Sequence, residues 1–235
     1  MADRETALMV FDFLERLRVE KYRVGDSTRD IRTANMLASL SLDDGLRDAA
    51  CMKLLSPGLE RIRFLEIAAH DPMSLTVCAS KLKTMWDQTD YDVSRMVNSE
   101  FNQDVAALLW QLSVHIQTPG LRRGPLEAAS YLSFMQGDRE EVVAKYLGGL
   151  RAVAPTGEVT RALMDAHVHG DRPAWIVQQA QDRPSVVTVP DVAPQRCDPI
   201  EPVPGEQSPV AQVPVESQEQ AGWHPIQGMR RFVGL

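Results

Sequence analysis

Proline is distributed very unevenly along this 235-residue chain, and its distribution limits where regular structure can form. Nine of the fifteen prolines lie between Pro184 and Pro225, and no Phe, Tyr or Trp occurs between Trp175 and Trp223. A segment that is rich in proline and lacks aromatic side chains cannot bury enough apolar surface to fold by itself. We therefore predict a folded body over 1–182, an extended Pro-rich linker over 183–222 and a C-terminal docking segment over 223–235.

The body shows apolar residues at helical spacing and almost no alternation of apolar and polar residues. Such runs follow Asp3, the Asp26-Ser27-Thr28 stretch and Asp43-Asp44, and each of these is predicted to supply a helix cap. Ser56-Pro57 and Asp71-Pro72 each predict a helix that begins at the proline, where the missing N–H costs nothing. This pattern favours an all-α fold class, a multi-helix body followed by a long Pro-rich extended tail.

The second half of the body is predicted to contain a long helix, a break and then shorter helices. The segment from about 99 to 117 places apolar residues on one face and is the predicted central core helix. Prolines and glycines interrupt the pattern near 118–125, where a loop within one domain and a hinge between two subdomains both remain open. Further helices are predicted near 126–135, 138–152, 156–168 and 173–181.

Charge and cysteine content restrict the class of protein. A formal charge of −7 disfavours nucleic-acid binding, since that affinity comes mainly from Lys and Arg. Cys51, Cys78 and Cys197 form no CxxC pair, which favours a reducing compartment. The chain opens with no signal-peptide pattern, and no window approaches the ~20 apolar residues of a membrane span. We expect a protein of the cytoplasm or of a virion, with no membrane span.

The chain contains no familiar catalytic or cofactor motif, such as GxGxxG, GxxxxGK[ST], GxSxG or HExxH. His167 and His169, with Asp165 and Asp171 beside them, form the most metal-like cluster, but residues two apart do not share a helix face. The Arg122-Arg123 pair could contact phosphates or carboxylates, but an isolated pair of this kind is interpreted as solvated surface. We predict no catalytic residue, no cofactor and no metal site.

Gln136-Gly137 followed by Glu140 resembles the start of the major homology region of retroviral Gag capsid proteins. Leu150-Arg-Ala and Met164 resemble the helix that follows in the C-terminal capsid domain of that family, so the likeness covers about residues 134–181. In that family the Gln and Glu stabilise a tight turn that leads into a helix, and the domain mediates dimer contacts. The resemblance therefore implies that Gln136, Gly137 and Glu140 are structural turn residues.

The C-terminal segment restores large apolar side chains and a basic pair after the linker. Aromatic and apolar anchors supply much of the binding energy of protein interfaces, so these residues are predicted to dock on a partner. The predicted docking residues are Trp223, Ile226, Met229, Arg230, Arg231, Phe232 and Val233.

The hypothesis that follows is a non-enzymatic structural or assembly protein, a capsid or capsid-associated component of a viral or phage virion. Its partners would be protein subunits, either copies of itself or other components of the assembly. The alternatives are a cytoplasmic helical adaptor or regulatory protein, a helical enzyme with an unfamiliar site, and a nucleocapsid RNA binder.

Overall fold

The computed structural model describes residues 3–20, 22–87 and 100–182. Within these ranges every regular element is a helix, which confirms the all-α prediction, and no helix there is long and apolar enough to cross a bilayer. The helices are α1 (Arg4–Val19), α2 (Ser27–Ala38), α3 (Asp44–Leu55), α4 (Arg61–Ala68), α5 (Pro72–Asp87), α6 (Glu100–Ser113), α7 (Arg123–Met135), α8 (Glu140–Val153), α9 (Glu158–His169) and α10 (Ala174–Asp182). Short 3₁₀ turns at Ser39–Ser41 and Pro119–Arg122 precede α3 and α7.

Aspartate side chains cap several helices at the predicted positions. The Asp3 carboxylate accepts a hydrogen bond from the Thr6 N–H at 2.7 Å, and Asp43 accepts one from the Leu46 N–H at 2.9 Å. Each bond satisfies one of the backbone donors that a helix leaves free at its N-terminus. Local sequence therefore fixes these helix starts.

The predicted helix start at Pro57 is wrong, since α4 begins only at Arg61. Residues 57–60 form a loop whose carbonyl groups are used by a buried lysine. Lys53 Nζ donates to the carbonyl oxygens of Pro57 at 2.8 Å and Leu59 at 2.7 Å. The Ser56 hydroxyl, the predicted cap, instead accepts a hydrogen bond from Lys81 Nζ at 2.5 Å. Side chains from other helices thus override the local capping signal.

Two helices, α3 and α7, form the centre of the body. Every residue from 45 to 55 in α3 and from 124 to 135 in α7 is buried. Small residues such as Gly45 and Ala49 in α3 and Ala128 in α7 allow neighbouring helices to pack against every face. The segment predicted as the central helix, α6, instead flanks α7 and ends at Ser113.

The remaining helices surround this pair in one continuous apolar core. Helices α1 and α4 pack on α3, helices α2, α6 and α8 pack on α7, and α10 packs against α5. The 3₁₀ turn at 119–122 occupies the predicted break, and the Ser41 hydroxyl ties it down by donating to the Leu121 carbonyl at 2.7 Å. Helices before and after this turn contribute to the same main core, and a small second cluster of Ala34, Ala38 and Ile116 packs with Leu121 at the turn itself.

Gly124 lies where α7 meets the backbone that leads into α3. The Gly124 N–H donates to the Ser41 hydroxyl at 2.7 Å, and a Cβ added at Gly124 would press against the Leu40 carbonyl group. Because that obstacle is backbone, Gly124→Ala is expected to lower the free energy of unfolding by about 3 kcal/mol or more. Urea denaturation followed by far-UV circular dichroism measures this change.

Gly148 in α8 provides the matched control for that measurement. It is also a helical glycine, but a Cβ there would meet nothing within 4 Å. Gly148→Ala should therefore raise the free energy of unfolding by up to about 1 kcal/mol through helix propensity. A Gly124→Ala variant as stable as Gly148→Ala would contradict the close approach of α7 to the Leu40 backbone.

Candidate functional site

The most unusual group of side chains in the described structure is a set of charges at the contact of α3 and α7. Arg47 of α3 is only 4% exposed, and Asp48 and Glu127 are 2% and 1% exposed. Arg47 Nη1 lies 2.8 Å from a Glu127 carboxylate oxygen on α7 and 2.7 Å from Asp44 on its own helix. Its Nη2 lies 2.8 Å from Asp48. One guanidinium therefore forms ion pairs with three carboxylates.

Arg123, at the first position of α7, completes the group. Its Nη2 donates to Asp44 at 2.9 Å and to the Ser41 carbonyl at 3.2 Å, and its Nε lies 3.8 Å from Glu127. We call Asp44, Arg47, Asp48, Arg123 and Glu127 the ionic cluster. Three carboxylates face two guanidinium groups, so the fully ionised cluster carries one excess negative charge.

Burial and the neighbouring charges shift the pKa values of the cluster residues. Burial raises the pKa of Asp48 to about 7, against the pull of the Arg47 guanidinium, and burial also raises the pKa of Glu127. Burial alone would lower the pKa of Arg47, but the carboxylates of Asp48, Glu127 and Asp44 together raise it above its ordinary value. Arg47 therefore stays charged, and Asp48 is the group that can take up a proton near neutral pH.

The ionic cluster can hold two helices in register. A buried charge is tolerated only when it is paired and hydrogen-bonded, and sliding α7 along α3 would separate Arg47 from Glu127. Such a contact favours one arrangement of the two helices over others that would bury similar apolar area.

Sequence reasoning missed this cluster, although one signal for it is present. The stretch from 44 to 55 combines Gly45, Ala49 and Ala50 with aliphatic residues on several faces, which is typical of a helix surrounded by neighbours. Charged residues inside such a helix must be buried and paired. The partner, Glu127, lies 80 residues away, so its identity could not be read from local spacing.

Basic residues that were interpreted as solvated surface have structural roles. Arg122 is partly buried, and its Nε donates to the Ile116 carbonyl at 2.7 Å, while Arg123 belongs to the ionic cluster. Lys53 is 3% exposed and also forms an ion pair with Glu15 of α1 at 2.5 Å. The interpretation of the Arg122-Arg123 pair as solvated surface is therefore wrong.

The predicted turn residues Gln136 and Gly137 lie between α7 and α8. Gly137 has a φ of +70°, in the left-handed region that favours glycine. The Gln136 side-chain amide donates to the Asp138 carboxylate at 2.8 Å, and the Ser133 hydroxyl donates to the same oxygen at 2.6 Å. Glu140 is exposed in the first turn of α8. Asp138, which the resemblance did not single out, is thus the carboxylate that meets Gln136.

The predicted docking residues lie outside the described residues. They are Trp223, Ile226, Met229, Arg230, Arg231, Phe232 and Val233. Their role remains a prediction from sequence.

Histidines and cysteines in the described ranges form no metal-binding group. No group of three or more His, Cys, Asp or Glu side chains there has the arrangement of a metal site. His169 Nδ1 lies 2.7 Å from the Asp165 carbonyl oxygen at the end of α9. Cys51 and Cys78 are buried, and burial raises the pKa of Cys51 and brings that of Cys78 to about 11.

A surface groove separates the end of α1 from α6. It has a volume of about 590 Å³, within the range of sites that bind ligands or peptide side chains. Leu17, Phe101 and Leu108 contribute to its apolar lining, and Val19 at the end of α1 is 87% exposed beside them. We call this feature the α1–α6 groove. It is an apolar recess on the body, open to solvent and bordered by charged residues.

No protein-family model matches this chain, and comparisons with characterised proteins and with solved structures likewise give no significant match.

Removing the shared cation of the ionic cluster tests its contribution to stability. Arg47→Met leaves the carboxylates of Asp48 and Glu127 buried beside an apolar side chain, so we expect the free energy of unfolding to fall by about 3–5 kcal/mol. The control is Arg61→Met, which breaks the exposed ion pair with Asp12 and should cost less than about 1 kcal/mol. Equal losses in the two variants, measured by urea denaturation, would contradict a special role for Arg47.

The raised pKa of Asp48 predicts a pH-dependent stability. The folded chain keeps a proton on Asp48 up to about pH 7, whereas the unfolded chain releases it near its ordinary pKa of about 3.9. This group therefore makes the free energy of unfolding fall as pH rises from about 4 to 7, by at most about 1.4 kcal/mol per pH unit.

Asp48→Asn isolates that contribution, because asparagine keeps an acceptor for Arg47 and does not titrate. The variant should show a flatter dependence of unfolding free energy on pH between 5 and 8 than the wild-type chain. Asp87→Asn, at an exposed position on α5, is the control for removing one carboxylate from the surface. Parallel curves for the wild-type and Asp48→Asn proteins would show that Asp48 is ionised throughout this range.

Proposed function

We propose that this protein is a non-enzymatic structural or assembly protein, a capsid or capsid-associated component of a viral or phage particle. Its C-terminal docking segment bridges to a neighbouring subunit. The observation that carries this proposal is the return of aromatic side chains, Trp223 and Phe232, beside several aliphatic residues after a linker that contains no aromatic side chain. Large apolar anchors at the end of a tether are suited to binding a second protein surface.

The described body supports the proposal by the way its helices are held. Three ionisable groups with shifted pKa values, Arg47, Asp48 and Glu127, are buried between its helices. A body whose central helices are fixed by such contacts can present the same surface to each successive neighbour. Repeated, identical contacts of this kind are what closed symmetric assemblies require.

The length of the linker suits a bridge between subunits. The 40 residues from 183 to 222 would span about 120 Å if fully extended and average about 35 Å as a flexible coil. Either distance is enough to reach an adjacent body of this size. The linker can therefore join subunits without requiring their bodies to touch.

The resemblance at 134–181 to the C-terminal capsid domain of Gag proteins is consistent with an assembly role. Gln136 and Gly137 stand at the turn between α7 and α8. That role would be structural, since the same turn holds α8 against the core. The proposal does not depend on this likeness, because the docking segment lies outside it.

The first test measures particle mass by light scattering over a range of protein and salt concentrations. The full-length chain should form assemblies larger than a monomer. The double variant Trp223→Ala, Phe232→Ala should shift the distribution toward monomer while leaving helical circular dichroism unchanged, since both residues lie outside the body. A loss of roughly tenfold or more in association affinity is the expected size for two aromatic anchors.

The control is the double variant Val210→Ala, Val213→Ala, which removes apolar groups from the linker and should leave the mass distribution as it is. If the full-length chain is monomeric at every concentration, the assembly proposal fails and a helical adaptor that awaits a different protein becomes the better explanation. If assembly survives both double variants, the docking segment is not the bridge.

A further inference from the structure

The groove between α1 and α6 and the docking segment match in chemistry. We propose that the α1–α6 groove of one subunit receives the C-terminal segment, 223–235, of a neighbouring copy of the same chain. This inference rests on the proposed function and adds to it the surface that receives the segment.

The apolar lining of the groove provides the first part of the match. Leu17 and Leu108 are buried at its base, and Phe101 is partly exposed within it. Val19 stands 87% exposed at the edge, where it covers nothing in the described body. The docking segment contains five large apolar side chains within eleven residues, and an apolar surface is needed to bury them. Burying these groups together with Val19 would remove apolar area from water on both sides.

Charge provides the second part of the match. Glu100 and Asp104 lie one helical turn apart on the α6 side of the groove, both exposed, and neither pairs with a cation in the described part of the chain. Arg230 and Arg231 are adjacent in the docking segment and can face this acidic side. Complementary charges of this kind favour one partner and one orientation.

The opposite side of the groove carries Arg18 and Arg23. The Arg18 guanidinium lies 5.5 Å from the centre of the Phe101 ring, and burial lowers its pKa. A segment placed with Arg230 and Arg231 toward α1 would bring like charges together. A placement of Arg230 and Arg231 beside Glu100 and Asp104 avoids that repulsion.

A direct binding measurement tests this assignment. The receptor is the full-length chain with its own docking segment disabled by Trp223→Ala and Phe232→Ala. The probe is a fluorescein-labelled peptide of residues 223–235, and anisotropy reports its binding. Adding Glu100→Lys and Asp104→Lys to the receptor should weaken peptide binding roughly tenfold, because two favourable charge contacts become repulsive.

The matched control reverses two exposed acidic residues elsewhere on the body, Glu60→Lys just before α4 and Glu141→Lys on α8. It changes the net charge equally and should leave peptide binding within twofold of the parent receptor. A peptide with Arg230→Glu and Arg231→Glu should bind the parent receptor weakly and regain most of its affinity for the Glu100→Lys, Asp104→Lys receptor. Such recovery cannot come from misfolding of the receptor.

A second pair of variants tests the apolar edge. Val19→Asp places a charge on a side chain that is already exposed, so the fold should be unaffected, and peptide binding should fall roughly tenfold. Val168→Asp on α9, at a residue that is 74% exposed, is the control and should bind the peptide normally.

The outcomes separate this inference from the proposed function. If the peptide fails to bind, or binds the groove variants and their controls equally well, the groove assignment is overturned, while light scattering still decides whether the docking segment drives assembly. If the peptide binds through the groove but the full-length chain is monomeric at all concentrations, the groove holds the tail of its own subunit. The assignment to a neighbouring copy then fails together with the proposed function.

Discussion

The contact between the Arg47 guanidinium and the Glu127 carboxylate is the interaction on which the arrangement of the body depends. It joins the two helices that are buried on all sides, and every other helix packs directly or indirectly on one of them. Apolar packing alone would stabilise many relative positions of two such helices. The requirement that buried charges remain paired permits far fewer relative positions, because sliding one helix along the other would leave a carboxylate unpaired in the interior.

Helix α3 holds neighbouring elements in place through polar contacts near both of its ends. Near its start, Arg47 and Asp44 fix the beginning of α7, and near its end Lys53 fixes the 57–60 loop and the α1 residue Glu15. Long basic side chains thus place their charged ends where backbone carbonyls and carboxylates of other elements would otherwise lack partners. The groove beside α1 depends on this arrangement, since α1 packs directly against α3.

The sequence predicts those features of the fold that depend on neighbours along the chain. Asp3 and Asp43 bond to N–H groups three residues away, so the helix starts they cap could be located. The wrong prediction of a helix start at Pro57 has a different origin. Lys53 on the preceding helix donates to the carbonyl oxygens of Pro57 and Leu59, which a helix starting at Pro57 would have used for its own hydrogen bonds. The Arg47–Glu127 ion pair could not be predicted from local sequence patterns, because 80 residues separate its two members. The docking residues predicted from composition fall outside the described ranges.

The close approach at Gly124 restricts which diverged sequences can keep this fold. Any side chain at that position would collide with the Leu40 backbone, and loss of the Arg47 charge would leave the buried carboxylates of Asp48 and Glu127 without the cation they share. Distant relatives should therefore retain the glycine and exchange the charged pair only in concert. Common ancestry would then be recognisable from these three positions, which span about half of the body, even where the rest of the sequence has diverged.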